Sequence, residues 1–306
     1  MQERLLAEQL IGYATSTPEG VRLCAGFIKG WLEARDIPTR QLTVRDLPIV
    51  IAEVGPPELP AIIFHGHIDV VPGRPGQFDP LLDGDRLYGR GAYDMKGAAA
   101  AMMLALADLR DQRDARVLLA FVPDEETEEE FDRGTEILVD AGCTGEFAIT
   151  GEPTDMLIGV AAKGVLALRI EVHGRAAHSS TPWKGDNAII KAISVFRGIE
   201  SLPFSLQSSE LFDRPSINLG RIWGGDALNR VPIHPDEVTS IGRDGASDAV
   251  AFIRAGTPAV EFGPVGSGHH GPEEWVSVAS LGAYRRTLCE FARTAPVDRA
   301  ERRIVR

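Results

Sequence analysis

The stretch IIFHGHIDVV, residues 62–71, decides how this chain is read. A short apolar run ends in His65, His67 and Asp69, the pattern by which a buried strand delivers polar side chains to the rim of a sheet. One residue separates His67 from Asp69, so an extended chain sets both side chains on one face. Asp69 can then accept one ring N–H of His67 and leave the other nitrogen free for a metal ion. On this fragment alone, a histidine and an aspartate capping a loop explain the pattern equally well.

Four further stretches supply the carboxylates and imidazoles that divalent metals favour. Asp94 stands in LYGRGAYDMKG, a glycine-rich turn before an apolar helix expected at 97–109. Glu125 and Glu126 end LLAFVPDEE, directly after a hydrophobic strand. Glu152 follows a short strand in FAITGEPTD, and His270, in GHHGPEEW, follows the apolar run 259–262. A single carboxylate after a strand is usually a solvated loop residue or a helix cap. Recurrence at successive strand ends points to one site.

With these motifs in order, the chain resembles the acetylornithine deacetylase and succinyl-diaminopimelate desuccinylase family, co-catalytic zinc amidohydrolases that also include dipeptidases and carboxypeptidases. HGHIDVVPG, GRGAYDMKG, VPDEE, TGEPT, GRAAHSSTP, GGDALNRVP and GHHGPEEW carry the resemblance from near one end of the chain to near the other. It implies two Zn2+ ions, with Co2+ or Mn2+ as substitutes, bridged by Asp94. His67 and Glu152 complete one site, and Glu126 and His270 the other. It further implies Glu125 as general base, Asp69 orienting His67, and a cis peptide after Asp94. His178, as oxyanion donor, and Asn229, as a substrate contact, occupy family positions that reach the active site of a partner subunit.

At 306 residues, with 44% apolar and 7% aromatic content, the chain can bury a sizeable core. A formal charge of −12 argues against nucleic acid or an acidic membrane surface as partner, since both need clustered basic residues. The first residues, MQERLLAEQLIGYA, form a charged amphipathic pattern unlike a signal peptide, and no apolar run reaches the ~18 residues of a membrane span. The expectation is a cytoplasmic protein acting on a small N-acyl amino acid. Cys24, Cys143 and Cys289 are far apart and odd in number, which suits packing residues rather than a zinc or disulfide framework.

Helical periods are expected at 4–14, 20–34, 97–109 and 134–141, and strands at 41–44, 49–54, 61–64, 117–122, 146–150 and 158–161. This alternation describes an α/β layered domain. Together with the resemblance it gives a zinc-exopeptidase-like α/β/α catalytic domain, residues 1–163 and 236–306, with an inserted, truncated α+β lid and dimerisation domain at 164–235. Within the insert, strands are expected at 165–172 and 216–222 and a helix at 186–199. Within DEETEEEFDRG, residues 124–134, Glu125 and Glu126 are set apart from a solvated acidic run. His173 and His234 read as surface residues, His65 as a core residue beside the site, and His269 as a backbone-positioning neighbour of His270. Lys163, Arg175, Lys184, Arg230 and Arg243 are candidate contacts to a substrate carboxylate.

The sequence departs from the family after GGDALNRVP, where residues 233–239 alone precede SIGRDGASDAV. Several tens of residues and an arginine that contacts substrate are missing. A shortened lid leaves strand edges and an apolar helix face open, which favours association with another chain and weakens turnover. The expected activity is removal of an N-acyl group from an amino acid, succinyl-diaminopimelate first and N-acetylornithine second. The alternatives are a metallo-exopeptidase and a metal-binding chain with little turnover.

Overall fold

The computed structural model describes residues 1–126, 133–161, 167–232, 239–241 and 247–295. The acidic residues at 127–132, Lys163, His234 and Arg243 lie outside the described residues. Two compact units are formed, one by Met1–Val160 with Asp248–Arg306 and one by Ala161–Ser247.

In chain order the strands begin with β1 Thr39–Val44, β2 Leu47–Val54, β3 Ala61–His67, β4 Leu81–Asp83, β5 Arg86–Tyr88 and β6 Arg116–Val122. They continue with β7 Phe147–Thr150, β8 Ala167–Arg169, β9 Thr239–Ile241, β10 Ala259–Glu261, β11 Gly266–Ser267 and β12 Trp275–Ser277. The helices are α1 Gln2–Ile11, α2 Pro18–Glu33, α3 Gly97–Asp108, α4 Gly134–Asp140, α5 Ala188–Glu200, α6 Ala249–Arg254 and α7 Val278–Thr294.

The first unit is built on a six-stranded sheet of order β1-β2-β6-β3-β7-β10. β3 lies at its centre, parallel to β6 on one side and to β7 on the other, and β10 continues the parallel run beyond β7. The antiparallel β1–β2 hairpin adds to the far side of β6. Successive side chains of a strand point to opposite faces, and the core divides accordingly. Ile62 and Phe64 pack with Leu10, Ile28, Leu106 and Leu281 of α1, α2, α3 and α7, while Ile63 joins Leu118 and Ala120 against Leu138 of α4 and Phe252 of α6. The result is an α/β/α sandwich. Every strand of the parallel set delivers its C-terminal end to one edge, where ligands of open α/β sheets bind.

The strand expected at 158–161 is reduced to a single bridge between Gly159 and Glu261. A second sheet, β11-β12-β5-β4, joins segments too short for alternation to reveal them. No helix among the described residues is long and apolar enough to cross a membrane.

In the second unit β8 pairs antiparallel with β9, and α5 starts at Asn187, whose side chain accepts from the N–H groups of Ile189 and Ile190. Of the strand expected at 165–172, residues 167–169 are described as β8, and residues 216–222 carry no strand assignment. An alternating pattern becomes a strand only where a neighbour's N–H and C=O groups align with it. Among the described residues of this unit, β8 and β9 are the paired strands. β9 at 239–241 pairs with β8 at 167–169 inside this unit.

Candidate metal centre

The parallel register determines which residues meet. His65 on β3 faces Thr150 on β7, and His67 faces Val122 on β6, so the residues leaving β3, β6 and β7 emerge side by side. These are Asp69, the Glu125–Glu126 pair and Glu152. Asp94 arrives from the glycine-rich turn before α3, and its bond to Met95 is a cis peptide. Gly66 packs against that turn: a Cβ there would stand 2.2 Å from the Met95 Cε, and the sulfur of Met95 accepts from the His67 N–H at 3.4 Å. Gly263 has a similar role beside Glu152, whose carbonyl oxygen a Cβ would meet at 2.2 Å.

Asp94 divides its carboxylate between two imidazoles. Its Oδ1 lies 3.0 Å from His67 Nε2, and its Oδ2 lies 3.4 Å from His270 Nε2. His270 Nε2 is also 2.7 Å from Glu126 Oε1. His270 has a left-handed backbone, φ 61°. Donor atoms of His67, Asp94 and Glu126 all fall within 4.8 Å of one another. Two donors each about 2.1 Å from a tetrahedral ion are about 3.4 Å apart, so these spacings suit donors that share cations.

The electrostatics also suit a cation site. Burial drives the Glu125 carboxyl up to about 8, with Asp248, Glu126 and Asp94 adding to the rise and His67 opposing it. Glu152 is raised well above the carboxylate range by burial, reinforced by Asp94 and Glu125. Hydrogen bonding to Asp94 and Glu126 lifts His270 to about 10 against burial. Burial opposes charge on His67 too, but its contacts with Asp69 and Asp94 hold it well above the usual imidazole range. Asp94 in turn is held well below the usual range by His270 and His67, despite its burial. Without metal, protons and imidazolium charge balance the converging carboxylates; divalent cations can replace them.

Asp69 meets His67 chiefly through its main chain rather than through the carboxylate expected from sequence. His67 Nδ1 lies 3.0 Å from the main-chain carbonyl of Asp69 and 3.5 Å from its carboxylate. The same carboxylate accepts from the main-chain N–H of Glu125 at 3.1 Å and of Glu126 at 2.8 Å. One residue thus registers the ends of β3 and β6. Arg133 supports the pair from the other side, donating to the Glu125 carbonyl at 2.6 Å. His65 is buried, packs edge-on against Phe252 and meets the Thr135 hydroxyl at 3.1 Å. His269 is exposed and contacts the Tyr93 ring at its edge.

Sequence reasoning missed Lys96 and Glu274. Lys96 is fully buried two residues after Asp94 and donates to the Tyr13 carbonyl at 2.7 Å, tying the α1–α2 turn to this segment. Glu274 accepts from the N–H of Asp94 at 3.0 Å. Both stand inside the ligand-bearing motifs, Lys96 in GRGAYDMKG and Glu274 in GHHGPEEW, and that position is their signal in the sequence.

His178 and Asn229 lie in the second unit, and both are exposed. They are brought together there, the Ser179 N–H donating to the Asn229 carbonyl at 3.0 Å. His178 Nδ1 lies 2.8 Å from the Ser180 hydroxyl and 3.2 Å from the Ser180 main-chain nitrogen. His173 is exposed, as expected.

The family described as peptidase family M20/M25/M40 matches residues 63–294. A probable carboxypeptidase from Aspergillus clavatus is 34% identical over 252 residues, 76% of this chain and 58% of the relative. A succinyl-diaminopimelate desuccinylase from Gluconobacter oxydans is 33% identical over 210 residues, 61% of this chain and 54% of the relative. The chain spans about half the length of the curated relatives it matches. A tripeptidase from Staphylococcus aureus superposes with a TM-score of 0.72 at 14% identity, covering 95% of this chain and 97% of that one. The M20 metallo-carboxypeptidase Sso-CP2 from Sulfolobus solfataricus gives 0.70 at 16% identity, covering 97% and 100%. Likeness at such identity speaks for the fold. The family match speaks for kinship: this chain belongs to the M20/M25/M40 peptidase family.

Proposed function

We propose that the chain is a metal-dependent hydrolase of linear amide bonds that holds two divalent cations, zinc first, on either side of Asp94. His67 and Glu152 complete one site, and Glu126 and His270 the other. The observation that carries this reading is the division of the Asp94 carboxylate, one oxygen toward His67 and the other toward His270. Divalent cations held there would supply Lewis-acid chemistry, polarising the scissile carbonyl and acidifying a water. Glu125 takes the proton from the attacking water and returns it to the leaving amine. Its neighbour Glu126 is engaged with His270, so adjacent carboxylates have separate tasks. Asp69 keeps both in register through their N–H groups. His178 helps stabilise the oxyanion of the tetrahedral intermediate, in trans within a homodimer, and Asn229 contacts the substrate. Association through the second unit is supported by the exposed apolar side chains of α5.

For the substrate, an N-acyl amino acid, succinyl-diaminopimelate before N-acetylornithine, is the first reading, and a desuccinylase stands among the relatives. A metallo-exopeptidase is the second, favoured by the carboxypeptidases among them. The test is hydrolysis of both acyl amino acids and a set of N-blocked and free dipeptides in added zinc, for the parent and Glu125→Gln. Cleavage of an acyl amino acid that Glu125→Gln loses supports the first reading, and cleavage of dipeptides alone the second. Two bound cations without turnover of any of these would leave a metal-binding chain and overturn both.

A further inference from the structure

Glu274 belongs to the motif GHHGPEEW, and the chemistry proposed above makes no use of it. It is 2% exposed, yet both of its carboxylate oxygens are engaged. Oε1 accepts from the main-chain N–H of Tyr93 and of Asp94, each at 3.0 Å. Oε2 accepts from the Gly91 N–H at 2.9 Å and from Arg90 Nη1 at 2.9 Å. Arg90, 3% exposed, also donates from Nη2 to the carbonyl of His270 at 3.4 Å. The Gly89 N–H donates to the main-chain oxygen of Glu274 at 3.1 Å, so the turn from Gly89 to Asp94 wraps around this one residue.

A buried ion pair is weak evidence for stability, because desolvating two charges offsets much of their attraction. Its placement is informative here. One end holds the N–H of Asp94 itself, and the other holds the carbonyl of His270 itself. Gln77 adds a parallel strut, accepting from the Arg90 N–H at 2.7 Å and donating from its side chain to the Gly271 carbonyl at 3.1 Å. The 3.4 Å spacing of Asp94 Oδ2 and His270 Nε2 therefore depends on two loops held to each other by Arg90 and Glu274. His67 has no such need, since β3 and its neighbours place it directly. Partners that orient metal ligands commonly contribute 10- to 100-fold in metal affinity.

Building on the two-cation reading, we propose that Glu274 and Arg90 are positioning residues for the Glu126–His270 side of Asp94: their loss weakens the cation on that side and spares the one beside His67 and Glu152. A purely structural pair would lower the unfolding temperature and leave the ratio of the two affinities unchanged.

The experiment is calorimetric titration of the metal-free full chain with Zn2+, parent against Glu274→Gln, with thermal unfolding in parallel. The parent binds two ions. Glu274→Gln presents an amide NH2 group to one of the two donor pairs, Tyr93 with Asp94 or Gly91 with Arg90, that each need an acceptor. It should bind the first ion within about threefold of the parent and the second about 10- to 100-fold more weakly. A folded Glu274→Gln that binds both ions as the parent does, or weakens both equally, overturns the inference. If that variant does not fold, Arg90→Lys decides, because lysine keeps the charge beside Glu274 but lacks the fork that also reaches the His270 carbonyl. A selectively weakened second ion then supports the inference, and two unchanged affinities overturn it. A parent that binds no ion would instead overturn the two-cation reading, a result distinct from a parent with two ions and an unaffected variant.

Discussion

The helix α3, GAAAAMMLALAD, is buried without interruption from Gly97 through Leu106, whereas α5, AIIKAISVFRGIE, buries only Ala188 and Ala192. Both are strongly apolar. Alanines let α3 pass closely between the sheet and the helices α1 and α7, and its larger side chains fill the space between them. In α5, Ile190 is 63% exposed and Val195 42%. An apolar pattern therefore shows that a helix face is available for packing, not what covers it. The same contrast runs through the candidate site. His67, Asp94, Glu126 and His270 stand on a layered core with measurable contacts to one another, while His178 and Asn229 stand on the exposed surface of the second unit.

The largest expected effect lies at the core-mounted site. Glu125→Gln should keep both cations and lower turnover about 100- to 10,000-fold, as loss of a general base does. His178→Ala should lower turnover about 100- to 1,000-fold with unchanged cation content, the scale of one lost oxyanion donor. Steady-state kinetics with metal analysis measures both. A His178→Ala variant with parental turnover would confine the chemistry to the first unit.

The packing contrast is tested by two truncations of aliphatic residues. Leu106→Ala removes a fully buried side chain and should cost about 2–5 kcal/mol in denaturant unfolding, whereas Ile190→Ala on the open face of α5 should cost less than about 0.5 kcal/mol. These losses apply to the dissociated chain, and equal losses there would break the comparison; an Ile190→Ala loss that grows with protein concentration would show the α5 face covered by a second copy, with sedimentation measuring the association.

The helix caps compare the two units at a smaller scale. Thr17 accepts from the Gly20 N–H at 3.1 Å to start α2, and Asn187 accepts from the Ile189 N–H at 3.0 Å to start α5. Replacing either by alanine should cost about 1 kcal/mol. Hydrogen exchange would show whether each loss is confined to its own unit.

The smallest effect concerns pH. Burial pushes the Cys24 thiol up to about 11, from an ordinary value of 9.0. Its folded pKa is raised, so the neutral thiol's contribution is fully present below pH 9.0 and is lost as pH rises toward about 11. Unfolding temperature should therefore fall less steeply over that interval in Cys24→Ala than in the parent. Equal slopes would remove Cys24 as a contributor.

Much of the first unit was legible because its strands are continuous apolar runs and its ligand candidates follow those runs directly. The contacts that hold the candidates were not legible. The Asp69 carboxylate bonds to the N–H groups of Glu125 and Glu126, which requires knowing that β3 and β6 are neighbours. Glu274 bonds mainly to main-chain N–H groups, which leave no trace in side-chain patterns. The three-residue strands β4, β5 and β12 are too short for a period to register. In the second unit the alternation at 216–222 has no counterpart among the described strands.

The central claim is that Asp94 bridges two cations. Anomalous diffraction from crystals of the full chain grown with zinc tests it directly. The account predicts two peaks flanking the Asp94 carboxylate, one beside His67 and Glu152 and the other beside Glu126 and His270. A single peak, or zinc bound away from Asp94, would contradict it.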